Sequence, residues 1–138
     1  MSCAGRGQML VVDASCLYEI VADGTVAEGV RQRLAVDPDH AAPHVIDVEV
    51  ASVIRRDHLL GRLDETAAAQ AIEDLRDWPA ERFGHQPLLD RVWELRTTVR
   101  PWDATYVALA EALDATLVTL DGRLAAASGP RCRIDVVT

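Results

Sequence analysis

Lysine is absent from the 138-residue chain, so all 14 basic residues are arginines. A Walker-type phosphate loop requires a lysine, and Schiff-base catalysis requires a side-chain amine, so both kinds of site are excluded. The 22 acidic residues give a net charge of −8. This charge argues against a broad basic surface that would bind nucleic acid through counterion release alone.

Long apolar runs and paired cysteines are also lacking. No run approaches the roughly 20 apolar residues of a membrane helix, and the first residues contain no signal-peptide core. Cys3, Cys16 and Cys132 lie far apart without a C-x-x-C pair, so neither a disulfide framework nor a zinc site is indicated. The four histidines show no H-x-H or H-E-x-x-H spacing. We therefore expect a cytoplasmic protein with reduced thiols and no membrane partner.

The length suits one compact domain, and the 49% apolar content is that of a globular chain. Residues 1–8 are small and polar, and they precede the first apolar run. We expect a dispensable N-terminal tail over residues 1–8 and a single domain over residues 9–138.

Short apolar segments alternate with segments of helical spacing. Strands are predicted at residues 9–12, 41–46, 81–83, 115–120 and 134–137. Helices are predicted at 15–22, 25–35, 48–60, 64–76, 88–96 and 100–113, with a short helical turn at 123–127. Ser15, the pair Thr25 and Glu28, and Asp47 are the expected helix caps. The alternation predicts an α/β fold with a mainly parallel sheet covered on both faces, and an all-helical bundle is the less favoured alternative.

Four acidic residues map to one edge of this predicted sheet. Asp13 closes the first strand, Glu49 follows the second, and Asp103 lies in the first turn of its helix. After Asp103 a helix and a strand of nearly equal predicted length bring Asp121 back to the same level. Parallel sheets bind ligands at this carboxyl edge, near the point where the strand order reverses.

Clustered carboxylates repel one another unless a cation neutralises them. Oxygen ligands suit Mg²⁺ or Mn²⁺, which can activate a bound water and offset charge on an attacked phosphate. The acids therefore point to phosphodiester hydrolysis. Taken singly, each acid also has a structural explanation: a strand end, a solvated helical residue, a favourable charge at a helix start or an Asp-Gly turn. Because all four acids are predicted at one edge, it is less plausible that each is there for a separate structural reason.

The same residues give the chain a resemblance to the PIN-domain ribonucleases, and in particular to VapC-type toxins of bacterial toxin-antitoxin pairs. It covers nearly the whole chain and rests on four segments, of which the third is the most specific. They are Val-Val-Asp13-Ala-Ser15, Asp47-Val-Glu49-Val-Ala, Trp102-Asp103-Ala-Thr105-Tyr106-Val-Ala-Leu-Ala110 and Leu-Val-Thr119-Leu-Asp121. All four acidic positions fit the family pattern.

This resemblance implies a three-layer α/β/α fold and a Mg²⁺- or Mn²⁺-dependent endoribonuclease. Its catalytic and metal-binding residues would be Asp13, Glu49, Asp103 and Asp121, with Ser15 and Thr119 in support. It also implies a homodimer and a small VapB-type antitoxin that occupies the toxin groove.

Other residues near the predicted cleft are weaker candidates. Trp102, beside Asp103, is a candidate RNA contact. Most arginines are expected to solvate helix faces, and a subset near the cleft could bind phosphates in a bidentate manner. Asp23 and Asp57 are expected to be solvated, and Cys16 is expected to be a buried thiol.

Alternative functions remain open at this point. The first is a non-catalytic PIN-like interaction module, which would be expected to have lost one or more of the acids. The second is a structure-specific DNA nuclease, because carboxylate-metal chemistry does not itself recognise a 2′-hydroxyl. Mg²⁺-dependent phosphatase or phosphoacceptor domains normally place a lysine beside the phosphate, and this chain has none.

Overall fold

The computed structural model describes residues 9–138, and the predicted tail over residues 1–8 lies outside the described residues. Five strands and seven α-helices alternate in this part of the chain. In order they are β1 (Leu10–Val12), α1 (Ala14–Val21), α2 (Ala27–Val36), β2 (His40–Pro43), α3 (Val45–Leu59), α4 (Glu65–Asp77), β3 (Glu81–Phe83), a 3₁₀ turn (Gln86–Leu88), α5 (Leu89–Glu94), α6 (Pro101–Ala112), β4 (Thr116–Thr119), α7 (Gly122–Ala126) and β5 (Ile134–Val136).

The five strands form one sheet in the order β3-β2-β1-β4-β5, and every neighbouring pair is parallel. The order reverses between β1 and β4, since the chain first moves outward to β3 and then returns to the other side of β1. Such a reversal leaves a crevice at the carboxyl ends of the two central strands. The predicted parallel α/β architecture is confirmed, and β3, which lies at one edge of the sheet, coincides with the strand predicted at residues 81–83.

Side chains alternate across the two central strands and build a core on each face of the sheet. Val11 and Leu117 face a large cluster that includes Leu17 of α1, Ile46 of α3 and Val107 of α6. The opposite face carries a smaller cluster in which Leu10, Val12 and Val118 pack with Val30 and Leu34 of α2. This arrangement confirms the three-layer α/β/α prediction. Among helices within residues 9–138, none is both long and apolar enough to cross a membrane.

Three predicted helix caps are wrong. Asp13, rather than Ser15, caps α1, because its side chain accepts a hydrogen bond from the Cys16 N–H. Helix α2 begins after Val26 without a side-chain cap, and the Val26 N–H instead donates to Glu19. Helix α3 begins at Val45, ahead of Asp47.

Two further aspartates are held by tertiary contacts. Asp47 lies in the first turn of α3 and forms an ion pair with Arg82, at 2.8 Å between Oδ1 and Nη2. Asp57, which was expected to be solvated, is buried and accepts hydrogen bonds from the Tyr18 hydroxyl, Arg56 and Arg62. By contrast, Asp23 is solvent-exposed as expected.

Candidate active site

Asp13 lies at the carboxyl end of β1, where the strand order reverses, and its side chain is buried. Its Oδ1 atom accepts hydrogen bonds from the Ser15 hydroxyl at 2.6 Å and the Cys16 N–H at 3.1 Å. Its Oδ2 atom accepts one from the Thr119 hydroxyl at 2.5 Å. These donors fix the orientation of the carboxyl group and partly replace the water that it loses on burial.

Ser15 and Thr119 also connect the ends of β1 and β4. The Ser15 hydroxyl accepts a hydrogen bond from the Leu120 N–H at 3.2 Å, while Thr119 Oγ1 accepts one from the Asp121 N–H at 3.0 Å. Each hydroxyl therefore donates to Asp13 and accepts from the loop that follows β4. The two side chains hold the strand ends that carry Asp13 and Asp121 in a fixed relation.

Glu49 lies in the second turn of α3, and its carboxyl group is half-buried. Its Oε1 atom accepts a hydrogen bond from the buried Tyr106 hydroxyl at 2.5 Å. Tyr106 is three residues after Asp103 on α6, so that one helix both supplies an acid and orients another. Within the described residues, the Oε2 atom of Glu49 has no hydrogen-bond donor.

Asp103 and Asp121 each contact an arginine of their own segment. The Oδ2 atom of Asp103 lies 3.3 Å from Arg100 Nη2. The carboxylate of Asp121 accepts hydrogen bonds from Arg123 through its backbone N–H, Nε and Nη2, at 2.9, 3.3 and 3.4 Å. Both acids line one recess of about 290 Å³, which agrees with the prediction that they lie at the same level.

The acids differ in their electrostatic surroundings. Burial raises the pKa of Asp13 despite its three hydrogen bonds, and repulsion from Asp103 adds to the increase. Burial likewise raises the pKa of Glu49, opposed by the Tyr106 hydrogen bond and reinforced by repulsion from Asp103 and Asp13. The hydrogen bond from Arg123 instead lowers the pKa of Asp121. Asp103 thus lies close enough to Asp13 and Glu49 for like charges to interact, while Asp121 lies beside Asp103 in one recess and pairs with Arg123.

The donor chemistry of this acidic edge fits a hard divalent cation, since every donor is a carboxylate oxygen and three of the acids repel one another. One oxygen of Glu49 and one of Asp103 have no donor among residues 9–138, so both are available as ligands. The side chains do not already form a ligand cluster. In the described part of the chain, no three Asp, Glu, His or Cys residues are grouped closely enough to hold one metal ion.

A cleft of about 780 Å³ opens in front of Glu49 and Asp103, between α1, α3 and the start of α6. Glu49, Asp103 and Ser15 line it beside Trp102, which is largely exposed to solvent. Apolar side chains from α3, Val45, Val48 and Val53, form much of the remaining wall. The cleft therefore combines an acidic patch with an apolar surface that includes an aromatic ring.

The neighbouring thiol is not a competing nucleophile. Cys16 is buried, and burial together with the nearby Asp13 carboxylate raises its pKa, which keeps the thiol protonated. The buried-thiol prediction is confirmed.

Sequence reasoning quoted Tyr106 within a motif but gave it no role, and it did not single out Arg123. For Tyr106 a signal was available, because residues three apart on a helix share a face and Asp103 was already a site candidate. For Arg123 no indication of a role was available from the sequence, since the guanidinium group in an Asp-Gly-Arg turn can either pair with the aspartate or extend into solvent.

Comparison with known proteins gives consistent results. The family model described as PIN domain matches residues 10–130. Ribonuclease VapC1 of Mycobacterium tuberculosis is 39% identical over 128 residues, covering 92% of this chain and 96% of the relative. Ribonuclease VapC9 of the same species is 39% identical over 130 residues, covering 94% and 98%. A crystal structure of VapBC2 from Rickettsia felis, bound to a promoter DNA fragment, superposes with a TM-score of 0.69 at 12% identity, covering 94% and 99%.

Proposed function

This chain belongs to the PIN domain family, and we propose that it is a VapC-type toxin that hydrolyses RNA phosphodiester bonds with the help of Mg²⁺ or Mn²⁺. The observation that carries this proposal is the convergence of four acids at the strand-order reversal: Asp13 ends β1, Glu49 and Asp103 line one cleft, and Asp121 lies beside Asp103 in the adjoining recess. A fold stabilised only by packing has no use for carboxyl groups of like charge gathered at one edge of the sheet. A cation that binds the folded state makes the arrangement favourable.

Asp13, Glu49, Asp103 and Asp121 are the residues that would hold the ion. When bound, the ion would activate a water molecule and offset the charge that develops on the phosphate. Ser15 and Thr119 fix the orientation of the Asp13 carboxyl group, and Tyr106 fixes that of Glu49. Such supporting hydrogen bonds typically change metal affinity or activity about 10- to 100-fold when removed.

Glu49 can offer its Oε2 atom to the ion, because that atom has no hydrogen-bond donor within residues 9–138 while Tyr106 holds the other oxygen in place. Burial raises the pKa of this carboxyl group, and a bound cation would favour its charged form.

The RNA substrate occupies the cleft in front of the acids. Trp102 presents an exposed indole ring next to Asp103, and stacking of a base on an aromatic ring contributes about 1–3 kcal/mol without a strong sequence preference. A base on Trp102 would place the adjoining phosphate near the carboxylates. Because the proposed substrate is cellular RNA, we propose that the protein acts in the cytoplasm.

A VapB-type antitoxin is the proposed inhibitor, and the VapBC2 complex supports this assignment by its shared fold. The cleft offers an acidic patch beside exposed Val48, which suits a segment with both basic and apolar side chains. Because opposite charges steer the encounter, the association rate should fall as salt rises. An association rate that does not respond to salt contradicts this mode of inhibition.

We also propose a homodimer. Leu89 and Trp93 lie one helical turn apart on α5, and both are exposed to solvent. This patch is suited to burial against a second copy. Light scattering should give the dimer mass for the wild type and a lower mass for Trp93→Glu, and a monomeric wild type at micromolar concentration contradicts the proposal.

The test of the proposed activity is cleavage mapping on total cellular RNA, with Mn²⁺ and with a chelator, alongside single-stranded DNA of matched sequence. We expect discrete RNA cuts that need the ion. Cutting of DNA in preference to RNA would favour the DNA nuclease, and binding without any cutting would favour the non-catalytic module.

A further inference from the structure

We propose that Arg100 and Arg123 form a second part of the substrate site, which binds the RNA phosphate next to the one that is cleaved. This inference rests on the proposed ribonuclease activity and extends it. Both arginines line the recess of about 290 Å³ described above, and Arg100 also lines the cleft that contains Trp102.

The geometry places two guanidinium groups at the rim of the acidic edge. Arg100 precedes α6 and reaches Asp103, while Arg123 lies in α7 and reaches Asp121. Because Arg100 and Asp103 line both the cleft and the recess, the two cavities adjoin at this ion pair. A strand of RNA that crosses Asp103 would pass from the indole ring to the arginines.

These two arginines differ from the arginines that stabilise the fold. The side chains of Arg100 and Arg123 are 74% and 87% exposed, and within residues 9–138 each forms an ion pair with a single aspartate. Arg33 and Arg82 are 25% and 14% exposed, and their guanidinium groups link separate segments of the chain. An exposed ion pair contributes little to stability, so a phosphate can replace the carboxylate partner at little cost.

Charge balance explains why a phosphate-binding group is needed here. The acids that attract a cation also repel the polyanionic substrate, and the chain as a whole carries a charge of −8. Guanidinium groups bind phosphate oxygens in a bidentate manner, and this geometry also orients the strand. When Asp103 and Asp121 act as ligands of a cation, their attraction for the two arginines weakens, which favours the exchange of a carboxylate for a phosphate.

The experiment compares Arg100→Gln and Arg123→Gln with the wild type in RNA cleavage at several salt concentrations. Arg133→Gln is the matched control, because Arg133 is also an exposed arginine and pairs with Asp135, two residues away, at 3.1 Å. Arg133 lines a cavity that contains none of the four acids. We expect KM to rise about fivefold for each site variant, as for the loss of about 1 kcal/mol of binding, with kcat changed less than KM. The salt dependence of log kcat/KM should become shallower by about 0.7 per lost phosphate contact, and Arg133→Gln should match the wild type.

Two further measurements separate this proposal from its alternatives. The increase in melting temperature on addition of Mn²⁺ should be preserved in both site variants. If it is lost, the arginines act by positioning the acids, and the proposal is wrong. Unchanged KM and salt dependence also overturn it. If the wild type cuts no RNA, the ribonuclease assignment itself fails, and anisotropy of a short fluorescent RNA then tests the arginines directly. Equal affinity of wild type and site variants in that assay contradicts the proposed phosphate site.

Discussion

Replacement of Thr119 by valine is expected to destabilise the fold, although the two side chains are nearly equal in shape. Thr119 is fully buried, and its hydroxyl donates to Asp13 at 2.5 Å and accepts from the Asp121 N–H at 3.0 Å. Loss of the charge-assisted bond costs about 1.5–3 kcal/mol, and an unpaired backbone N–H costs about 1 kcal/mol more. The methyl group that replaces the hydroxyl in the valine variant stabilises the fold by about 0.8 kcal/mol.

The net loss should therefore be about 2–3 kcal/mol, or about 8–12 °C in melting temperature at about 4 °C per kcal/mol for a chain of this length. Urea unfolding with a chelator present measures it directly, because no ion then stabilises the folded state. Thr119→Ser is the control, since it keeps the hydroxyl and should lose only about 1 kcal/mol for the missing methyl group. A valine variant as stable as the serine variant would refute the role assigned to this hydroxyl.

Three other predictions concern the acids. In chelator, Asp103→Asn should melt at or slightly above the wild-type temperature, because repulsion from Asp13 and Glu49 is relieved. It should also lose most of the increase in melting temperature that Mn²⁺ causes in the wild type. A large destabilisation in chelator would show that the acid is structural. Tyr106→Phe should weaken Mn²⁺ binding about tenfold in calorimetry, because Glu49 loses the donor that orients it; unchanged affinity would contradict that role. Burial raises the pKa of Asp13 in the folded chain. The stability of the wild type in chelator, relative to that of Asp13→Asn, should therefore fall as the pH rises above about 4, the ordinary pKa of an aspartate. A stability difference that instead increases with pH would contradict the burial effect.

The layout of the site followed from sequence where simple geometric rules apply. Parallel strands end at one edge, so a polar residue directly after a buried strand, such as Asp13, is placed by the topology. Asp121 was placed by comparing the length of a helix with that of the following strand, and the structure indeed brings it into one recess with Asp103. Both predictions depended on local periodicity and on a fold with few topological choices.

Contacts between distant segments could not be predicted in this way. The partner of Glu49 is Tyr106, 57 residues away, and the partner of Asp47 is Arg82, 35 residues away. Asp57 seemed a solvated helical residue, yet Tyr18 and two arginines hold it in a buried position. Helix propensity and spacing contain no information on which side chain faces a given helix, and each of these pairs depends on that packing. The prediction of Ser15 as the cap of α1 was wrong because Asp13, already assigned to the acidic site, also caps the helix.

The acidic edge is tested most directly as a metal-dependent ribonuclease site by the initial rate of RNA cleavage as a function of Mn²⁺ concentration. The wild type, Asp103→Asn and Asp23→Asn form the set, the last being an exposed aspartate at positive φ that asparagine also tolerates. We predict saturable, chelator-sensitive cleavage by the wild type and Asp23→Asn, and a loss of at least about 100-fold for Asp103→Asn. Wild-type cleavage that persists in chelator, or that survives in Asp103→Asn, would contradict the account.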